Sequence, residues 1–317
     1  MTTRNENTTG PLNKLKKASL VLFVAAIPLA FLLFPASMAV LTGCVPPPPA
    51  PQTQIPDYNQ GLYSFPKFDL PAAKKAGSVG LTVLSIIPEY KDTRGKENGT
   101  TGSMTPEMAK VFRSFAGSAG EDIEALLVAK GLTAKGPFVL DEVTFPDKKG
   151  ADLTVLMEII FDLQYSDAKF QRDETFEGNI QGKVYSGTMS VGMKVYYYLL
   201  EPLSEEKMWI KKLDLGSQDY NYEFARGQES YVSGQQFVSD GCGGGHNYPT
   251  YAWRDTNKMV YDSRAKLFSD QLKVAYPKLM KTAWTYFDAD EMLTLRDKAK
   301  EIRDRWGSSS FRRGAPQ

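Results

Sequence analysis

Between residues 79 and 306 the chain moves between two hydrophobic rhythms. Val79–Ile87 is a run of β-branched residues and leucines stopped by Pro88, which predicts a buried strand. A polar loop with Gly95, Gly99 and Gly102 fills 89–103. Thr105-Pro106 then offers a hydroxyl cap and a first-turn proline. After it Met108, Val111, Phe112, Phe115, Ala119, Ile123, Leu126 and Leu127 recur at helical spacing as far as Gly131. Gly117 and Gly120 weaken the middle of that helix, and a break is expected there. Strands are expected over Phe138–Phe145, Asp152–Tyr165, Val184–Leu200 and Lys207–Leu215, with Glu201–Glu206 as the turn between the last two. Residues 216–257 fit neither rhythm and are read as a long loop, a length that is ordinarily functional or partly misread. Helices follow over Lys258–Phe287, interrupted at Pro277, and over Ala289–Trp306. The predicted fold is α/β: a mixed β-sheet of about five strands, an early crossover helix and two C-terminal helices packed on it. The stripe Met292, Leu295, Ala299, Ile302 and Trp306 of the last helix covers this sheet or docks a partner helix.

The front of the chain has a different character. Lys14, Lys16 and Lys17 precede an apolar run, Ala18 to Leu41, broken only by Ser19 and Ser37 as polar members. A basic start and an apolar core are the physics of an export signal. The run ends in Leu41-Thr42-Gly43-Cys44, which resembles the bacterial lipoprotein signal, and the resemblance implies acylation of Cys44 and cleavage after Gly43. The alternative is a retained membrane helix, since about two dozen apolar residues can span a bilayer. Either route puts the remainder beyond the inner membrane. Pro46–Pro49 force local polyproline II, so 44–77 is expected to be a semi-rigid tether reaching roughly 100 Å. Val45, where an aspartate would retain a lipoprotein at the inner membrane, implies delivery to the outer membrane. The expected organisation is a signal peptide at 1–43, the tether at 44–77, one domain at 78–306 and a disordered tail at 307–317.

Composition adds exclusions. The net charge is +1 over 317 residues. Residues 1–43 hold four basic side chains and one acid, so the mature body stands at −2 and lacks the positive charge that nucleic acid demands. Cys44 and Cys242 are the only cysteines and His246 the only histidine. Gly241-Cys242-Gly243-Gly244-Gly245-His246 therefore supplies two metal ligands where zinc wants three or four, and no metal or cofactor is expected. With Cys44 acylated, Cys242 is an odd thiol, either shielded or joined to a second copy in a homo-oligomer. Ser118 lies among glycines but inside a predicted helix, without the first glycine of G-x-S-x-G. Glycines 243–245 lack the Lys and Ser/Thr of a phosphate loop. Asp288, Asp290 and Glu291 sit where a helix start welcomes acids. No enzymatic activity is expected.

The stretch 216–257 is rich in aromatic residues. Tyr220, Tyr222, Tyr231, Tyr248, Tyr251 and Trp253 are the candidate contacts for a glycan or an envelope partner, through stacking on ring faces and phenolic hydrogen bonds. The plainer reading is that these rings pin a loop to the body.

Three stretches resemble the neuraminyllactose-binding hemagglutinin (HpaA) family of ε-proteobacterial lipoproteins. They are LSIIP followed by FRSFAGSAGEDIEALLVAKG, the strand-turn-strand VYYYLLEPLSEEKMWIKKLDL, and the closing LTLRDKAKEIRDR. The resemblance covers roughly residues 78–306. It implies an outer-membrane or surface lipoprotein linked with sialoglycan adhesion and flagellar sheaths. One departure stands out. The family's short basic segment after the third strand reads AKFQRDETFEGNIQ here, with Lys169 and Arg172 among Asp173, Glu174 and Glu177, a setting that repels a carboxylate-bearing sugar.

Overall fold

A computed structural model describes residues 52–55, 57, 60–71, 77–91, 104–239 and 244–310, with side chains described through 305. The apolar run 18–41, Cys44, the proline run and Cys242 lie outside the described residues. Among the described residues no helix is long and apolar enough to cross a membrane.

The elements are β1 (Thr82–Ile86), β2 (Glu89–Lys91), α1 (Pro106–Ala129), β3 (Thr133–Phe138), α2 (Phe145–Lys149), β4 (Leu153–Tyr165), β5 (Lys169–Phe176), β6 (Ile180–Leu200), β7 (Lys207–Ser239), β8 (Gly245–Asp262), α3 (Arg264–Tyr286) and α4 (Ala289–Ser310). The strands form one mixed sheet in the order β3-β1-β4-β6-β7-β8, with β2 added to β4 and β5 to β6. β1 is parallel to β3 and β4, with α1 as the crossover; β4 to β8 are antiparallel. β4 and β5 act as one bent strand along β6: Tyr165 pairs with Met189, and after a short turn Lys169 pairs with Ser186.

The period of two in β4 and β6 sorts the interior into two cores. Leu153, Val155, Met157, Ile159, Phe161 and Leu163 of β4 join Val191, Met193, Val195, Tyr197 and Leu199 of β6 on the face covered by α1 and α3. The alternate positions Leu156, Tyr198 and Leu200 meet Leu84 and Ile86 of β1 in a smaller cluster closed by Val143 and Ala151. α1 begins as its sequence predicts, with the Thr105 hydroxyl accepting from the Met108 amide at 3.2 Å. It does not break at its glycines. A β-carbon on Gly120 would stand 3.1 Å from Pro137 and 3.3 Å from Ile87, so this glycine lets the helix lie close to the sheet.

α3 buries Ala265, Phe268, Leu272, Ala275, Tyr276, Leu279, Met280 and Ala283, and it runs through Pro277, which lies on the exposed side. α4 buries Met292, Ala299 and Ile302, so at these positions its stripe covers the protein's own body.

Two expected features differ. Phe138–Phe145 is not a strand: β3 lies earlier, and the segment becomes a 3₁₀ turn at Leu140–Glu142 followed by α2. Thr144-Phe145-Pro146-Asp147 is a helix start, with the Thr144 side chain accepting from the Asp147 amide. Pro137 lies within β3, an edge strand, where a residue without an amide donor is tolerated. The second difference is 216–262: the expected loop and the expected start of the helix at Lys258 are strand along almost their whole described length, and α3 begins at Arg264.

Buried polar groups tie distant segments together. Residues 60–71, within the stretch expected to be a spacer, are strapped onto α1 and α3. The Ser114 hydroxyl donates to the Tyr63 carbonyl, the Ser269 hydroxyl to the Leu62 carbonyl and the Phe68 amide to Asp122, each at 2.7 Å. Asp122 also accepts from Tyr276 at 2.7 Å. Burial, with this carboxylate beside it, pushes the Tyr276 phenol far above its ordinary pKa. At the far end Glu201 is fully buried. It accepts from the amides of Leu203 (2.9 Å) and Ser204 (2.6 Å) and pairs with Arg303 of α4 at 2.9 Å.

This pair generates a stability prediction. Arg303→Ala strands a buried carboxylate and lowers unfolding free energy by about 3 kcal/mol. Removing Lys148, whose ion pair with Glu205 is nearer the surface, costs less than about 1 kcal/mol. Urea titration of both variants against the parent measures the difference.

Candidate functional site

The stretch expected to be a loop is a hairpin arm. β7 pairs with β6 only as far as Gly182–Gly227. From Gln228 on it pairs with β8 alone, Gln228 facing Asp255 and Val238 facing His246, which gives a two-stranded ribbon about 35–40 Å long. Lys183 of β6 bridges to Asp255 at the base, at 3.1 Å. The sequence did hold one signal: the dipeptide Asp240-Gly241, which lies outside the described residues, is of the kind that favours hairpin connections.

The register assigns the ribbon's faces. Ser230 pairs with Trp253 and Val232 with Tyr251; beyond the irregularity at Ser233, Gln235 pairs with Pro249 and Phe237 with Asn247. These residues share one face, since side chains alternate along each strand. The opposite face carries the Glu229–Arg254 ion pair, Tyr231 with the Arg254 guanidinium 5.8 Å from its ring, and Tyr248 edge-on to His246 at 6.4 Å. The first face holds no charge between Ser230 and Phe237 or between Asn247 and Trp253. Its large side chains stand in solvent: Tyr251 is 64% exposed, Phe237 63%, Val232 58% and Trp253 54%.

The six aromatic candidates therefore divide. Tyr231, Tyr248, Tyr251 and Trp253 are on the arm and accessible, while Tyr220 and Tyr222 belong to the body. Tyr222 is 3% exposed and fills the space over Gly187, where a β-carbon would come within 2.8 Å of its hydroxyl. With Tyr165 and Phe224 it surrounds the Arg264 guanidinium at 5.5–5.8 Å, and Asp262 pairs with that guanidinium at 2.6 Å. The Tyr220 hydroxyl bonds Gln271 of α3. These two rings do pin the chain to the body, and burial raises both phenols' pKa values. Val232, Phe237 and Pro249, outside the six candidates, complete the exposed face, and of these only Phe237 had a sequence signal, its place among the aromatics of this stretch.

The other polar groups are engaged elsewhere. A shallow crevice of about 380 Å³ lies where β4 gives way to β5, lined by Ser166, Asp167, Lys169, Gln171, Thr188 and Asn221. The Ser166 hydroxyl there accepts from the Thr188 amide at 2.7 Å. Arg172 in the segment after β4 pairs with Glu174 at 3.0 Å and lies 3.7 Å from Glu223. Glu291 at the start of α4 accepts from Trp209 at 2.6 Å and Lys211 at 2.9 Å, which holds its carboxyl below the ordinary range. Among the described residues no three His, Cys, Asp or Glu side chains converge as a metal site.

No protein-family model matches the chain, and no curated protein matches it. Among solved structures it is similar to a neuraminyllactose-binding hemagglutinin homolog from Helicobacter pylori, with a TM-score of 0.41 and 12% identity over 73% of this chain and 97% of that one. A Xanthomonas campestris protein of the DUF330 family is similar at a TM-score of 0.25 and 8% identity, over 73% of this chain and 96% of that one. Both are distant similarities of fold.

The division of the aromatics predicts opposite responses. Tyr222→Ala lowers stability by about 3 kcal/mol, whereas Trp253→Ala or Tyr251→Ala shifts it by less than about 0.5 kcal/mol, as urea midpoints will report. A second expectation concerns alkali. Burial pushes Tyr165 and Tyr198 up to about 12. An unfolded chain ionises its tyrosines near 10, so above that pH it releases protons the folded state retains. Stability therefore falls as pH rises from about 10 towards 12, and the phenolate absorbance of the buried tyrosines should appear after that of the exposed ones and together with unfolding.

Proposed function

We propose that the protein is a non-enzymatic lipoprotein of the cell envelope, tethered through Cys44 to the outer membrane, whose arm docks another envelope protein or a glycan. The observation that carries this reading is the uncharged face of Val232, Phe237, Pro249, Tyr251 and Trp253, which the described body leaves uncovered. Exposed apolar surface concentrated on one projecting element is the mark of an interaction site. Tyr and Trp suit that role because they bring a large contact area at low rotamer cost. A two-stranded ribbon offers a long, narrow surface, which favours an extended partner.

The same docking could be architectural, in a flagellar motor or sheath, as the sequence resemblance implies. Sialoglycan adhesion is the weaker reading: the arginine that would meet a sialyl carboxylate is already engaged by Glu174.

Two measurements test the proposal. Radiolabelled palmitate should enter the parent chain and not Cys44→Ala, which should leave the membrane fraction; equal partitioning of both forms removes the tether. Crosslinking in intact cells should capture a partner on residues 228–255. Replacing Phe237, Tyr251 and Trp253 together with Ala should cut that capture roughly tenfold or more in a chain that still folds. Undiminished capture assigns docking to another surface.

A further inference from the structure

β6 begins at Ile180, where the chain has turned back from β5. β7 runs on past it, so from Gln228 to Val238 one edge of β7 faces β8 and the other has no strand beside it among the described residues. Sheet edges are ordinarily blunted by Pro, Lys or other charge, because their open amides and carbonyls invite another strand. β8 is blunted in this way, with Pro249, Arg254 and Lys258 along its outer edge. The β7 edge is not. It has no Pro or Lys from Gln228 to Val238, and its one charge, Glu229, lies near the base and is held by Arg254 across the ribbon.

We propose that the Gln228–Val238 edge pairs antiparallel with the same edge of a second copy of this chain, giving a four-stranded ribbon about a two-fold axis. Charge is the first argument. The edge is uncharged from Ser230 to Val238, so two copies meet without like charges opposed, and the two-fold carries the two Glu229 side chains to opposite ends. The open backbone is the second. An edge about 35 Å long and about 10 Å thick with its side chains covers roughly 350 Å² per partner, or about 700 Å² for the pair, a small contact whose affinity comes from the row of strand-to-strand backbone hydrogen bonds. Stability is the third: a two-stranded ribbon standing alone in water is marginal, and four strands are not. The face with Tyr251 and Trp253 remains outward and is doubled by the pairing. This inference concerns the edge, so it stands or falls independently of what the face docks.

The test is sedimentation of the full lipid-bearing chain in detergent. The parent should run with two chains per particle. Ser230→Lys with Gln236→Lys sets like charges along both edges and should weaken association at least roughly tenfold, leaving one chain. Mixing it with the Ser230→Glu, Gln236→Glu form should restore two. A parent that stays a single chain, a lysine form that stays paired, or a mixture that stays single overturns the proposal; so does an edge found occupied by a strand of another protein. Amide exchange on the parent gives a reading without substitutions. Protection over Gln228–Val238 should rise with protein concentration while the β8 edge stays open, and protection independent of concentration counts against self-pairing.

Discussion

β6 is hydrogen-bonded on both sides along almost its whole length, to β4 and β5 on one flank and to β7 on the other, and the rest of the molecule is arranged by where those pairings stop. A strand flanked on both edges has every backbone group satisfied, so its side chains alone decide what lies above and below it. Val191, Met193, Val195, Tyr197 and Leu199 face one way and draw α1 and α3 onto the sheet; Tyr196, Tyr198 and Leu200 face the other and form the smaller core. The buried Glu201 then closes this end against α4 through Arg303, in a turn whose own amides help hold the carboxylate. At the other end β6 is shorter than β7, and the excess of β7, paired only with β8, becomes the arm.

The division between body and arm explains which parts of the fold were legible in the sequence. α1, α3 and α4 were readable because each has a buried side and an exposed side, and burial writes the period; β4 was readable as an apolar run because most of it is buried on both faces. Gly120 and Pro277 looked like breaks and neither is one: Gly120 lets α1 approach the sheet, and Pro277 lies on the exposed side of α3. β5 carries Lys169, Arg172, Asp173 and Glu174 on an exposed edge, so hydrophobicity left no trace of it. β7 and β8 beyond Gly227 are exposed on both faces and thus have no alternation to read; the composition that remains, glycine, amides and aromatics, looks like a loop. Of the candidate site, Tyr231, Tyr248, Tyr251 and Trp253 were found by type, whereas the burial of Tyr222 depends on Gly187 and Arg264, neither of them near it in sequence.

Exposure on both faces also separates stability from recognition. The body has its own core and its own polar network, built around Asp122 and Glu201. The arm contributes little burial and holds the large uncharged side chains that the body leaves uncovered. A lipid on Cys44 would confine the chain to a surface and raise the effective concentration of whatever meets the arm there, so a modest contact could suffice. Folding accordingly rests on the sheet, α1, α3 and α4, and under the proposed function interaction falls to the ribbon between Gln228 and Asp255.

The most direct test is excision of that ribbon. A chain in which a short turn joins Gly227 to Thr256 should unfold cooperatively within a few degrees of the intact protein while losing its crosslinks to other envelope components. A chain that fails to fold cooperatively, or one that folds and keeps those crosslinks, would contradict the separation on which the account is built.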